Sequence, residues 1–84
     1  MNGTKYLFNP RSHDRETLPK LNPLALECDA VIHQLQEGTQ RLPKGETLTV
    51  AKDAGGSHVL AWTEGRKSLV LVEKLDLGEE LPWE

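Results

Sequence analysis

A chain of 84 residues, 37% hydrophobic and 27% charged with a net charge of −3, has the composition of one small folded domain. The acidic balance argues against a dedicated nucleic-acid binder, whose phosphate contacts come from clustered Lys and Arg. A single cysteine, Cys28, excludes an intrachain disulfide, and no apolar run approaches the roughly 20 residues that span a bilayer.

With no signal-like run after Met1, the expectation is a cytoplasmic protein away from membranes. A domain this small buries only about 60–65% of its unfolded surface. Apolar residues that cannot join its core therefore need another cover.

Residues 1–22 read as an irregular, slightly basic arm punctuated by Pro10 and Pro19, with Lys5–Phe8 a candidate for a short added strand. Residues 23–37 carry the one helical pattern. Asn22 suits an N-cap, Pro23 the first helical position and Gly38 the stop. Leu24, Cys28, Val31, Ile32 and Leu35 form one apolar stripe.

A connector over 39–45 leads to three strand-like runs at 47–52, 58–63 and 68–75. Short glycine-bearing turns separate them, so neighbours should pair antiparallel as a meander. Residues 76–84 form an acidic tail ending in Leu81-Pro82-Trp83-Glu84. The expected fold class is α+β: one amphipathic helix packed on a three-stranded antiparallel meander, within a single domain over 1–84.

Pairing Thr63 with Ser68 sets Ala61 against Val70, Val59 against Val72 and His58 against Glu73. Pairing Lys52 with Ser57 sets Val50 against Val59. One face then carries Leu48, Val50, Val59, Ala61, Val70 and Val72, a floor for the helix. The other carries Leu60, Trp62, Leu69, Leu71 and Leu75 among Thr47, Thr49, His58 and Glu73.

A sheet with one solvated side alternates cleanly, and this one does not. The surplus implies a cover: the arm through Tyr6, Leu7, Phe8, Leu18 and Leu21, a second copy of the chain, or another protein. The tail's Leu81 and Trp83 could anchor a partner as well.

The chemistry-bearing residues are sparse. Asp29 and His33 share a helical face but lack the further ligands a metal site needs, so neither a metal nor a cofactor is expected. Cys28 lies on the apolar stripe, where a cysteine acts as a small hydrophobe rather than a nucleophile. Lys44, Lys52, Arg66 and Lys67 gather in loops near Trp62, a combination on which single-stranded nucleic acid can stack.

Gly56-Ser57-His58 at a strand start, followed by Trp62 and Gly65-Arg66, resembles HicA-type mRNA interferase toxins. The resemblance covers about 16 residues. It implies a helix-first domain with His58 as catalytic histidine. The chain departs from that pattern in the spacing to the aromatic, in lacking a second helix after the third strand and in its acidity.

The functional expectation is therefore a small non-enzymatic protein-interaction module, a regulator, inhibitor or accessory subunit. It would bind a protein or its own second copy through Leu60, Trp62, Leu69, Leu71, Leu81 and Trp83. Nucleic-acid association is the alternative.

Overall fold

A computed structural model describes residues 4–11, 15–21 and 36–82. They form one seven-stranded antiparallel sheet: β1 (Lys5–Phe8), β2 (Glu16–Leu21), β3 (Gln36–Arg41), β4 (Thr47–Gly55), β5 (His58–Trp62), β6 (Leu69–Glu73) and β7 (Leu77–Glu80). The spatial order is β3-β2-β6-β5-β4-β1-β7. Two single 3-10 turns, Glu64–Arg66 and Lys74–Asp76, flank β6.

This corrects the expected α+β class. The architecture is a seven-stranded sheet, with no helix of seven or more residues among those described. Most of the expected helix, residues 23–35, lies outside the described residues, but Gln36 and Glu37 belong to β3.

Gly38, which reads as a helix stop, serves a different bend. Its φ of +96° falls where β3 spends one residue more than β2 between the Pro19–Thr39 and Leu21–Gln36 pairs. An extra residue of this kind needs the left-handed backbone that glycine adopts freely. Pro19 sits at the same irregularity, a place where a strand tolerates a residue without an N–H.

The central meander exists, with altered bounds. β5 and β6 pair as the alternation requires, with His58 opposite Glu73, Val59 opposite Val72 and Ala61 opposite Val70. β4 runs three residues longer than expected, to Gly55, and pairs Val50 with Ala61 instead of Val59. Two register shifts, between Val50 and Lys52 and between Asp53 and Gly55, absorb the difference. Around the meander the arm contributes β1 and β2, and the tail contributes β7.

Both faces of the sheet bury apolar side chains. Phe8, Leu42, Leu48, Ala61, Val70 and Val72 form one cluster, with Leu77 packed against it. Leu21, Leu60 and Leu69 form the other, with Ala54, Trp62 and Leu71 alongside. Leu42 leaves β3 at one end of the sheet, and residues 42–46 then reach β1 and β4 near the other, where the Phe8 amide donates to the Glu46 carbonyl at 2.8 Å. So short a bridge, with Leu42 buried beneath it, requires the sheet to curl over its first cluster.

Candidate functional site

The residues expected to bind a partner are not a single exposed surface. Leu60 and Leu69 are 0% exposed, and Trp62 and Leu71 are half-buried against them. Leu21, from the end of β2, completes that cluster, so part of the opening segment already covers this face. Leu75 leaves the face altogether and stands 64% exposed in the second 3-10 turn. Leu81 is half-buried beside β1, and Trp83 lies outside the described residues.

The polar members of the same face lead to a different place. Lys5 stands opposite Thr49 on the β1–β4 ladder, and Thr49 stands opposite Trp62 on the β4–β5 ladder. Directly opposed residues share a face. The row Lys5, Thr49, Trp62 therefore runs from the edge of the second cluster out over β1, and Thr47 lies one step along β4 on the same side.

Where this row meets the first 3-10 turn, a cavity of about 310 Å³ opens. Lys5, Thr47 and Thr49 line it from the sheet, and Thr63, Glu64, Gly65 and Arg66 from the turn. A second depression of about 270 Å³ shares Lys5, Thr47 and Glu64 and ends on Leu81 and Pro82. Sharing these three residues, they form one groove, in which only the first half carries Arg66 and only the second carries the apolar Leu81 and Pro82.

Hydrogen bonds hold the walls. The Thr63 amide donates to the Ser68 carbonyl at 2.9 Å, and the Arg66 amide donates to the Thr63 carbonyl at 2.8 Å. The Ser68 amide donates to Thr63 Oγ1 at 3.0 Å, satisfying a hydroxyl whose residue is only 6% exposed. The Glu46 carboxylate accepts the Glu64 amide at 3.2 Å. At the far end the Leu81 amide donates to the Lys5 carbonyl at 2.8 Å, which seats Leu81 beside the cation.

Arg66 has a φ of +55°, the one positive value on a non-glycine side chain among the described residues. Left-handed backbone costs an ordinary L-residue roughly 1–2 kcal/mol. Among the described residues no carboxylate is ion-paired with its guanidinium to offset that strain.

His58, the residue singled out by the HicA-type resemblance, is half-buried at the start of β5. Its Nδ1 lies 3.5 Å from Ser57 Oγ, and it faces Glu73 across the ladder. Glu73 is itself ion-paired with Arg15. The helix-first order that the resemblance implies is not found, since β1 and β2 precede residue 22.

His13, Cys28, Asp29 and His33 lie outside the described residues. Among the described residues no group of three His, Cys, Asp or Glu side chains converges as a metal site would, and no helix is long and apolar enough to cross a membrane.

The alternation within residues 47–49 did place Thr47 and Thr49 on the face of Trp62. Lys5 and Glu64 carried no such signal, because only the pairing of β1 with β4 brings the arm to the turn. Compared with known proteins, the chain matches no family model, no curated protein and no solved structure.

Proposed function

We propose that this protein is a small non-enzymatic protein-binding module that holds a short extended segment of a partner in the groove between β1, β4 and the first 3-10 turn. The observation that carries the reading is the continuity of the groove, whose two halves share Lys5, Thr47 and Glu64. Hydroxyl and ammonium donors along its floor suit main-chain carbonyls, and Leu81 with Pro82 offers an apolar seat at one end. The surface differs from the apolar sheet face because Leu60 and Leu69 have no area left to offer.

Selection of a random heptapeptide library on the immobilised chain tests the reading, with Thr49→Trp as the groove-filling variant and a melting curve as its folding control. Enriched peptides should bind the wild type and lose at least tenfold on the folded variant. No enrichment above background, or equal binding by the variant, would overturn the reading.

A second reading, single-stranded nucleic acid lying along the row, is favoured by Lys5 and Trp62 sharing that row with Arg66 at its lip. Glu64 in the wall and the packing of Trp62 against the second cluster weigh against it. It requires retention of a single-stranded oligonucleotide that falls steeply with added salt. No retention at about 50 mM salt would dispose of it.

A further inference from the structure

Resting on the peptide-groove reading, we infer that the segment it takes is acidic at one end. A carboxylate of the partner seats against Arg66, and an apolar side chain further along lies on Leu81 and Pro82.

Three observations converge on this polarity. Arg66 and Lys5 line the same cavity, with Glu64 the one carboxylate lining it. Arginine presents a planar fork that matches a carboxylate in two-point contact, and the Thr47 and Thr49 hydroxyls supply further donors. Lys5 and Glu64 line both halves and offset each other, whereas Arg66 lines only the first, so the net positive charge falls away towards Leu81 and Pro82 and a uniformly charged ligand fits poorly.

The backbone supplies an independent argument. The position of Arg66 favours glycine on conformational grounds, since its φ is +55°. A long cation kept there against the backbone preference, at the lip of the only groove end that carries two cations among the described residues, marks the guanidinium as the feature in use. Glu64 lies in both halves and would repel a polyanion running their whole length. A lone carboxylate followed by neutral main chain meets Glu64 once, beside Arg66, and not in both halves, which favours a polypeptide over a nucleic-acid strand.

The test uses three degenerate peptide pools, identical in their random positions and differing in a fixed leading pair of Glu, Gln or Lys residues. Each is titrated by fluorescence anisotropy against the wild type, Arg66→Gly and Arg66→Lys. The Glu pool should bind about tenfold more tightly than the Gln pool, and the Lys pool most weakly. Arg66→Gly should erase the Glu-over-Gln preference while melting no earlier than the wild type, and Arg66→Lys should keep part of it.

Equal binding of the Glu and Gln pools, or a preference that survives Arg66→Gly, overturns the inference and leaves the groove reading standing. Failure of every pool and of every library-selected peptide overturns both.

Discussion

Arg15 and Asp76 are joined by an ion pair 61 residues apart in sequence, with Arg15 Nη1 lying 3.2 Å from Asp76 Oδ1. The Asp76 side chain is only 4% exposed, and Arg15 is paired with Glu73 as well. The contact ties the segment between β1 and β2 to the second 3-10 turn. The Asn9 amide, which donates to the Asp76 carbonyl at 2.7 Å, ties it again. Arg15→Ala should therefore destabilise the fold by about 2–4 kcal/mol, because it leaves a buried carboxylate poorly paired. Urea denaturation measures this. A loss under about 0.5 kcal/mol, the range of ordinary surface substitutions, would show that the clasp does not hold the fold.

The same clasp limits Gly78. A Cβ at that position would lie 2.8 Å from Asn9 Cβ and 3.4 Å from the Leu7 carbonyl oxygen. Gly78→Ala should cost about 1–3 kcal/mol, the range for forcing atoms into a packed contact. Gly78→Ala on an Asn9→Gly background should recover much of that loss in thermal melts. Equal destabilisation in both backgrounds would place the cause elsewhere.

Asp53 fastens the β4–β5 turn. Its carboxyl is held below the usual carboxylate range, first by the Gly55 N–H and then by the Lys74 ammonium. A carboxyl lowered in the folded state adds stability above its unfolded pKa. That stability is lost as pH falls through the lower, folded value. The stability gap between wild type and Asp53→Asn should be full at neutral pH and should close below about pH 4. A gap that widened on acidification would contradict the assignment.

Leu60 and Leu75 stand on opposite sides of the burial question. Leu60 is 0% exposed in the second cluster, whereas Leu75 is 64% exposed. Leu60→Ala should cost about 2–5 kcal/mol, and Leu75→Ala should stay within about 0.5 kcal/mol of the wild type. Paired chemical denaturation curves check both, and similar midpoints for the two variants would remove Leu60 from the core.

These residues also show what alternation can report. Val59, Ala61, Val70 and Val72 against Leu60, Trp62, Leu69 and Leu71 made the central hairpin, its register and its two apolar faces legible. β2, β3 and β7 were not legible. Their sequences, ETLPKL, QEGTQR and LGEE, hold a proline, two glycines and few apolar residues.

Backbone hydrogen bonds to neighbouring strands hold these segments, and such bonds leave little trace in side-chain pattern. The helical reading reached two residues too far, into Gln36 and Glu37 of β3, for the same reason. Periodicity reports which side chains are buried, not which main chain is paired.

The groove was half legible. Thr47, Thr49 and Arg66 stood out as strand alternation and loop charge. Their meeting with Lys5 depends on β1 lying against β4, a contact more than 40 residues apart in the chain.

The peptide-groove account is tested most directly by amide chemical-shift mapping of the labelled chain during titration with a library-selected peptide. The account predicts saturable shifts concentrated on Lys5, Thr47, Thr49, Thr63 to Arg66 and Leu81, with β2 and β3 unmoved. Shifts centred on Leu71, His58 and the β3 edge, with Thr49 and Arg66 silent, would contradict it.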